Sequence, residues 1–419
     1  MKKTFLLLIL TSALLLVSCA KTATETPATA EIQPTPTEPT ANAVKDEEQA
    51  VTASTFTDAA TPCKPHDDLA EMTRADPNFP SVTDADWVEG PSDAIITLTV
   101  YDQFDCPGCR YFETQAEQLM EAYPEDFRLV FRHFFFHENA DLPARVAEAA
   151  GRQNKFAEVK SFIFEDVENW YGKTGKDFEA WIRTTSEKFE LDADKMIADF
   201  NDQAIIDKVA EENAKSKALG LNSTPSIYIN GSQYVSPDNS IPGFELISHF
   251  IETVKKVKAF SVNQIENCPP MSIDKAKNYQ ITLTTVKGDI LIDLNDDEAP
   301  YSVNAMVYLV NEGWYNDQTF YFADENYVVT GDPSGTRVAS PGFVVLDELS
   351  STMTFNEVGV VGMYHSLPGR NGSQFFITRK PLEGLESSYT VLGKVSDGLD
   401  VLNSLSMGDK ITTVNITEK

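Results

Sequence analysis

The spacing of apolar and polar residues divides the first half of the folded chain into alternating strands and helices. Residues 94–104, AIITLTVYDQF, are β-branched and aromatic and predict a buried strand. From Cys106 to about Tyr123 the apolar residues recur at helical spacing, and residues 127–137, FRLVFRHFFFH, predict a second strand. Helical patterns follow as far as residue 218, and residues 224–234, TPSIYINGSQY, predict a short hairpin. This order predicts an α/β sandwich with a helical insertion.

A different pattern begins after a break at residues 255–277, where KKVKAF and a Pro-Pro pair indicate a linker. Residues 279–294, YQITLTTVKGDILIDL, alternate between apolar and polar and predict a hairpin. Residues 299–315 are compatible with a helix, and short strands separated by Gly and Pro continue to Lys419. We therefore expect residues 278–419 to form an antiparallel β-barrel with covering helices.

The first sixty residues carry neither pattern. Residues 1–19 start with two lysines and a continuous apolar stretch, which is typical of a secretory signal and too short for a comfortable membrane span. Leu16, Val17, Ser18 and Cys19 resemble the bacterial lipobox, in which the cysteine is lipidated; the alternative is a plain signal peptide with a chance cysteine. Residues 20–60 are rich in Ala, Thr, Pro and Glu and predict a disordered linker. We expect an extracytoplasmic protein, lipid-anchored to the bacterial cell membrane through Cys19.

Composition and charge refine this organisation. The residues after the linker are too numerous for a single hydrophobic core. Two domains are therefore expected, at 61–254 (core 94–254) and 278–419. The chain has 64 acidic and 34 basic side chains and a formal net charge of −30. So acidic a protein is not expected to bind nucleic acid, or to adhere to anionic lipid by charge.

Five cysteines are the main candidates for chemistry, and two of them form a C-x-x-C pair, Cys106 and Cys109. The other three, Cys19, Cys63 and Cys268, form no second pair, so we expect neither a zinc site nor a cofactor. A structural disulfide across two residues would constrain the unfolded chain little. A strand that leads into a helix places Cys106 at the helix N-terminus, where N–H groups and the helix dipole stabilise a thiolate. The pair is therefore predicted to be a redox site.

Three motifs in order carry a family resemblance: FDCPGC (104–109), FRLVFRHFFFH and NSTPSIYING (222–231). Residues 94–254 resemble the thioredoxin superfamily, specifically its DsbA-like branch with a helical insert. The resemblance implies a thioredoxin fold in which Cys106 attacks, Cys109 resolves, and Thr224 and Pro225 hold an extended substrate beside them. It also implies exported or unfolded protein clients and a redox partner of unknown identity. The side chains of Pro107 and Gly108 offer neither a proton donor nor a cation, so oxidase, reductase and isomerase directions all stay open.

Cys63 and Cys268 flank this domain on its two sides. In an oxidising compartment they could pair and tie the two flanking segments together, or they could remain as unpaired thiols. The sequence leaves both alternatives open.

The C-terminal region resembles a cyclophilin-type peptidyl-prolyl isomerase through NGSQFFIT (371–378), GDPSGT, YTVLGKV and GWYNDQTF. The resemblance implies prolyl-peptide binding by a set of pocket residues, namely Tyr327, Gln374, Phe376, Leu385 and Tyr389. The family's arginine, which polarises the prolyl amide, is replaced by Phe322. We therefore expect a degenerate isomerase that still binds unfolded, proline-containing segments, because an apolar pocket can hold the ring without the charge.

Two hypotheses follow from these patterns. In the first, the protein is an extracytoplasmic folding enzyme that exchanges disulfides, with a cyclophilin-like domain for prolyl binding or isomerisation. In the second, it is a membrane-tethered chaperone or binding module without significant redox turnover.

Overall fold

The structure is a computed structural model that describes residues 62–74, 76–236, 238–274, 276–350, 352–365 and 368–419. The predicted signal peptide, Cys19 and the predicted linker 20–60 lie outside the described residues. Among the helices of the described residues, none has the length and apolarity needed to cross a membrane.

The strands are, in chain order, β1 (Cys63–Pro65), β2 (Trp87–Glu89), β3 (Ile96–Asp102), β4 (Phe127–His133), β5 (Ser226–Ile229), β6 (Ser232–Gln233), β7 (Tyr279–Thr285), β8 (Gly288–Leu294), β9 (Phe322–Ala323), β10 (Tyr327–Thr330), β11 (Phe343–Val345), β12 (Val360–Met363), β13 (Phe375–Thr378), β14 (Val391–Asp397) and β15 (Ile411–Glu418). The helices are α1 (Asp68–Met72), α2 (Pro107–Ala122), α3 (Asp141–Gly151), α4 (Phe156–Glu165), α5 (Val167–Trp170), α6 (Gly175–Lys188), α7 (Ala193–Phe200), α8 (Gln203–Ala218), α9 (Phe244–Phe260), α10 (Pro300–Asn311) and α11 (Leu399–Ser404), with short 3-10 helices at Ser261–Asn263 and Leu385–Ser387.

The first domain is built on a five-stranded sheet in the order β2-β4-β3-β5-β6. The central strand β3 pairs in parallel with β4 and antiparallel with β5. Helices α3 to α8 lie between β4 and β5 along the chain, which is the predicted helical insertion. Nearly every residue of β3 is buried, because both faces of the sheet are covered. The predicted α/β architecture is confirmed.

The second domain is an eight-stranded antiparallel sheet in the order β15-β7-β8-β14-β12-β13-β10-β9. An isolated bridge between Thr319 and Lys410 joins residues near the two ends of this order, so the sheet is strongly curled. Helix α10 packs against β15, and α11 packs against β8. The alternating residues of β7 and β8 supply the core with Ile281, Leu283 and Ile292, all at most 1% exposed. The predicted antiparallel fold with covering helices is confirmed.

Strand β1 precedes the first domain in the chain but pairs with β11 of the second domain. Its pairing is antiparallel, with Cys63 opposite Val345. The adjacent His66 N–H donates to the carbonyl oxygen of Gly342 at 2.8 Å. The residues that lead into the first domain are thus hydrogen-bonded to the second.

The residues that leave the first domain reach the same segment. Helix α9 extends to Phe260, inside the range predicted as a linker, and Ile265 N–H then donates to the carbonyl oxygen of Pro341 at 2.7 Å. A disulfide joins Cys63 to Cys268 with the Cα atoms 5.9 Å apart. We call β1, α1 and residues 264–268 the clasp, because together they bind residues 340–346 of the second domain from two sides.

Candidate functional site

Cys106 lies between the end of β3 and the first turn of α2. It is the N-cap of α2, with Pro107 in the first turn, where the missing N–H costs no helical hydrogen bond. The Cys109 N–H donates to the Sγ atom of Cys106 at 3.4 Å, and the Cys106 thiol donates to the carbonyl oxygen of Thr224 at 3.4 Å. The predicted attacking thiol therefore contacts both the helix N-terminus and the Thr224–Pro225 loop.

These surroundings favour the thiolate form of Cys106. The hydrogen bond from the Cys109 thiol is the main factor that lowers the pKa of Cys106 to about 6; a hydrogen bond with the Thr224 side chain and the backbone N–H groups of Cys109 and Gly108 add to it, and partial burial opposes it. A thiol with this pKa is largely ionised at neutral pH, and the thiolate is the nucleophile in disulfide exchange.

Cys109 has the opposite environment. Its side chain is fully buried, and burial raises the pKa of its thiol far above the ordinary range, with the Cys106 thiol and the Asp102 carboxyl adding to the effect. The two cysteines of the pair therefore differ in both access and ionisation, as the roles of attacking and resolving thiol require.

Asp102 is a buried acid beside this pair that the sequence interpretation did not identify. Burial raises the pKa of its carboxyl to about 8, and the nearby Cys109 thiol partly offsets this rise. Neither carboxylate oxygen has a well-aligned hydrogen-bond partner among the described residues. The only signal in the sequence is an acidic residue at the end of an otherwise apolar strand. Its position suits a group that exchanges a proton with Cys109.

The Thr224–Pro225 loop lies directly against the cysteine motif, and its peptide bond is cis. A Cβ atom at Gly108 would lie 2.7 Å from Cδ1 of Ile241 and 3.2 Å from Cδ of Pro225. The glycine of the C-P-G-C motif thus allows this loop and its neighbours to approach the thiol closely.

One cluster of the described residues has metal-ligand side chains, namely His133, Glu148 and Glu212, whose ligand atoms lie within 4.8 Å of one another. Glu148, however, already accepts hydrogen bonds from Trp87 Nε1 at 2.7 Å and Lys208 Nζ at 2.7 Å, and contacts His133 Nε2 at 3.1 Å. The buried carboxylate therefore has its cation and its donors from the protein, which leaves little reason for a metal ion.

The second candidate site is an aromatic cluster in the cyclophilin-like domain. Phe376 lies at its centre, with ring centroids 5.9 Å from Tyr327, 5.2 Å from Phe355 and 5.7 Å from Tyr389. Leu385 packs partly buried against the same cluster. The structure therefore brings the predicted pocket residues together around one apolar surface.

On the polar side of this pocket an aromatic ring stands in place of the family's arginine, and Gln374 is bound by the protein itself. Phe322, at the position of the family's arginine, packs against Tyr327 with the ring centroids 5.2 Å apart. The hydroxyl of Tyr321 donates to Oε1 of Gln374, and Nε2 of Gln374 donates to the carbonyl oxygen of Ala339 at 3.4 Å. Both ends of the Gln374 amide are thus held by the protein. Tyr321 was not identified from the sequence, because its role depends on a contact with a residue far along the chain.

Comparisons with known proteins agree with this division of the chain. Residues 280–418 match the family described as cyclophilin type peptidyl-prolyl cis-trans isomerase/CLD, and residues 82–252 match the family described as thioredoxin. The solved structure of Wolbachia pipientis alpha-DsbA1 is similar with a TM-score of 0.37 and 18% identity, over 43% of this chain and 96% of that chain.

Two curated relatives cover the C-terminal domain. The peptidyl-prolyl cis-trans isomerase-like 3 of Rhizopus delemar is 36% identical over 141 residues, which make up 31% of this chain and 82% of that protein. The peptidyl-prolyl cis-trans isomerase B of Bacillus subtilis is 34% identical over 128 residues, or 30% of this chain and 90% of that protein. Through residues 280–418 the chain belongs to the cyclophilin-type peptidyl-prolyl cis-trans isomerase family, and it joins this domain to a thioredoxin-type domain at residues 82–252.

Proposed function

We propose that this protein is an extracytoplasmic folding factor that exchanges disulfides in exported proteins and binds their proline-containing segments. The observation that carries the proposal is the asymmetry of the cysteine pair. Cys106 is accessible, has a pKa of about 6 and contacts the Thr224 carbonyl, whereas Cys109 is buried and protonated. Disulfide exchange and prolyl isomerisation are both slow steps in folding, which gives the fusion of these two domains a rationale.

The exchange follows from these positions. The Cys106 thiolate attacks one sulfur of a client disulfide, so that an S–S bond forms to Cys106 and the other client sulfur leaves as a thiolate. Cys109 then gives its proton to the ionised form of Asp102, which is a minority form at neutral pH because the pKa of this carboxyl is about 8, and attacks Sγ of Cys106. The second client sulfur leaves as a thiolate, the two client thiolates take up protons from Asp102 and from solvent, and the Cys106–Cys109 disulfide remains on the enzyme. The same steps in reverse oxidise a client, and the potential of the redox partner sets the direction.

The test is a trapping experiment on the full chain. In the Cys109→Ser variant the second step is blocked, so the mixed disulfide between Cys106 and a client should accumulate and be visible by non-reducing electrophoresis. The Cys106→Ser variant is the matched control and should trap nothing. Equal trapping by both variants would contradict the assigned roles and favour a binding module without redox turnover.

For the cyclophilin domain we propose prolyl binding with weak isomerase activity, because Phe322 supplies no charge to the twisting amide. One missing electrostatic contact at a transition state costs about 2.7–4 kcal/mol, or roughly a hundredfold to a thousandfold in rate. Isomerisation of a short prolyl peptide by the full chain should therefore be slow, and Phe322→Arg should accelerate it. Rates for the natural chain that match an ordinary cyclophilin, with no gain in the variant, would refute this proposal.

We further propose that a lipid on Cys19 anchors the protein to the bacterial cell membrane. The support is the lipobox-like sequence that ends at Cys19 and the Pro- and Thr-rich residues that follow it. In a bacterial host, labelled palmitate should be incorporated into the natural chain and not into the Cys19→Ala variant. Label in both proteins would exclude anchoring at this residue.

A further inference from the structure

An acid, an imidazole and an amide form a hydrogen-bonded cluster directly before the attacking cysteine. Asp105 is the residue that precedes Cys106, and Oδ2 of its carboxylate lies 2.8 Å from Nδ1 of His137. The other oxygen, Oδ1, accepts from Nε2 of Gln103 at 2.5 Å. The side chain of Asp105 is only 6% exposed, whereas that of His137 is 64% exposed. The carboxylate is thus engaged within the protein, and the imidazole can be reached from solvent.

His137 belongs to a segment that runs beside the residues leading to the attacking thiol. The N–H of Phe134 donates to the carbonyl oxygen of Asp102 at 3.0 Å, and the N–H of Phe136 donates to Oε1 of Gln103 at 2.8 Å. His137 is the next residue of this segment, and its partner is covalently joined to the attacking cysteine. The imidazole therefore lies at the end of the sheet where a client must bind to exchange its thiols.

The carboxylate decides which ring nitrogen of His137 exchanges a proton. Nε2 of Gln103 also lies 2.7 Å from Nδ1 of His137. One nitrogen atom cannot donate to Asp105 and accept from Gln103 at the same time, and the charged partner makes the stronger hydrogen bond. Asp105 therefore keeps a proton on Nδ1, so that Nε2 is the atom of the neutral ring that carries a free lone pair.

A cavity of about 170 Å³ lies against this cluster. Asp105 and His137 line it together with Trp170 and Tyr171 of the helical insertion. The other charged side chains of the lining are one acid and one cation, Glu138 and Lys173. The cavity is several times the roughly 30 Å³ that a water molecule takes up in the liquid, so a client side chain fits beside the ring.

We propose that His137 is the general base that takes the proton from a client thiol when the oxidised protein forms a disulfide in that client. The inference rests on the disulfide exchange proposed above and assigns one proton in it. The client S–H gives its proton to Nε2 of His137, and the client sulfur forms an S–S bond to Cys106. The Cys106–Cys109 bond breaks, and Cys109 leaves as a thiolate that takes the proton of the Asp102 carboxyl. The Cys106–Cys109 disulfide is the oxidant, and His137 later releases its proton to solvent.

The size of the effect follows from the ionisation of the client. An unperturbed cysteine thiol has a pKa of about 8.5, so only about 3% of it is thiolate at pH 7. A base at the site removes this limitation and can accelerate the attack at most about thirtyfold at that pH, which is within the reach of general base catalysis. We expect about tenfold, because the ring is partly exposed and water competes for its lone pair. The gain should vanish at a pH where the client thiol ionises without help.

The experiment measures a single turnover of the full chain with a short peptide that carries two cysteines. The Cys106–Cys109 pair is first oxidised with diamide, and the excess is removed. Formation of the peptide disulfide is then followed after acid quenching, at pH 7 and at pH 9. His137→Gln should be about tenfold slower than the natural chain at pH 7, and the two rates should agree within about twofold at pH 9. A merely structural loss would slow the reaction at both pH values.

Two further variants test the role of the carboxylate and the specificity of the effect. Asp105→Asn should also slow the reaction at pH 7, because the amide does not keep the proton on Nδ1. The double variant Asp105→Asn/His137→Gln should be no slower than His137→Gln alone, since Asp105 acts through the ring. His249→Gln is the control, because this exposed histidine lies on α9 and does not line the cavity, and it should leave both rates unchanged.

The outcomes separate this inference from the proposed function. If the natural chain oxidises the peptide and His137→Gln is equally fast at pH 7, or equally impaired at both pH values, the base is refuted while disulfide exchange stands. If the natural chain oxidises the peptide at neither pH, the oxidation of clients is refuted and the role of His137 with it.

Discussion

Cys106 and Cys109 share one helical turn, yet the protein lowers the pKa of the Cys106 thiol and raises the pKa of the Cys109 thiol. Cys106 receives hydrogen bonds from the helix N-terminus and the Cys109 thiol, which stabilise its charged form. Cys109 lies in the apolar core, where a charge is costly. The hydrogen bond from the S–H of Cys109 makes the largest contribution to lowering the pKa of Cys106. The second cysteine therefore activates the first before it takes part in the reaction itself.

The ionisation of Cys106 can be followed by alkylation. In the reduced protein the rate of reaction with iodoacetamide should rise with pH through a midpoint of about 6 and level off above it, whereas an unperturbed thiol has its midpoint at about 8.5. Cys109→Ala should move the midpoint upward, because it removes the main hydrogen bond to the thiolate. A midpoint near 8.5 in the natural chain would contradict the activated thiol.

Asp102 should make stability depend on pH. The pKa of its carboxyl is about 8 in the folded protein and 3.8 for an aspartate free in water, so the unfolded chain loses this proton first as the pH rises. The protonated Asp102 makes its full contribution to the free energy of unfolding below about pH 4. Between the two pKa values this contribution falls by about 1.4 kcal/mol for each pH unit, and it is lost once the pH has risen through 8.

The test is Asp102→Asn, followed by urea unfolding at pH 4.5 and pH 8. The variant should gain stability relative to the natural chain at the higher pH, and disulfide exchange should slow because Cys109 loses its proton acceptor. The exposed Asp84→Asn serves as the control and should change neither property. A stability difference that does not depend on pH would exclude a raised pKa at Asp102.

The sequence sufficed to predict a redox role for the cysteine pair, because that prediction depends only on the spacing of the cysteines and their position at the start of a helix. Cys106, Cys109, Thr224 and Pro225 could all be named from short motifs. Asp102 could not, because its pKa depends on α2 packing over the end of β3, which is a tertiary contact. The same reason applies to Tyr321, whose partner Gln374 lies 53 residues further along the chain.

At the scale of elements, α4 is joined to α2 and β2 through one buried cation. Lys160 is 1% exposed, and its Nζ lies 2.8 Å from Oε1 of Glu113 on α2 and 2.8 Å from Oε1 of Glu89 on β2. Burial alone would lower the pKa of Lys160, but the two carboxylates outweigh burial and raise it above its usual value. The helix that carries the cysteine pair is thus fixed to the helical insertion by charge as well as by packing.

Lys160→Met should destabilise the first domain by about 3–5 kcal/mol, because it leaves the buried Glu113 carboxylate without a cation. Urea unfolding of the full chain measures the loss. Lys155→Met at the N-cap of the same helix is the control: Lys155 pairs with Glu158 at 2.7 Å on the surface, and its loss should cost less than about 1 kcal/mol. Lys160→Met/Glu113→Leu should recover much of the stability, and failure to recover would mean that packing dominates.

Elements whose regular apolar pattern extends over many residues were predictable from the sequence, and β1 was not. Strand β3, helix α2 and the β7–β8 hairpin follow from local alternation or helical spacing. Strand β1 has three residues, and it is a strand only because β11, far along the chain, offers a free edge. No local pattern encodes such a pairing, so the clasp could be found only in the structure.

At the scale of the whole molecule, the Cys63–Cys268 disulfide closes a loop that contains the complete thioredoxin domain, with a sequence separation of 205. The sequence left this pairing open. The disulfide lies where both ends of the domain meet the cyclophilin domain, next to β1 and β11. The first domain is therefore held at both of its ends to the second, and the Cys106–Cys109 pair is separate from the disulfide that holds it.

Removal of this disulfide should release the clasp. A loop of this length corresponds to about 5 kcal/mol in the chain-entropy model, and measured losses are usually about 2–4 kcal/mol. In the Cys63→Ser/Cys268→Ser variant, only the β1 pairing and the hydrogen bonds of His66 and Asp68 hold the segment, so limited proteolysis should cut within residues 62–74 first. The Cys106→Ser/Cys109→Ser variant loses the same number of cysteines and should keep these residues protected. Because a two-domain chain need not unfold in one step, the site of cleavage, rather than a single unfolding free energy, is the decisive measurement. Equal protection of residues 62–74 in both variants would show that the hydrogen bonds of Asp68 and β1 hold the clasp without the disulfide.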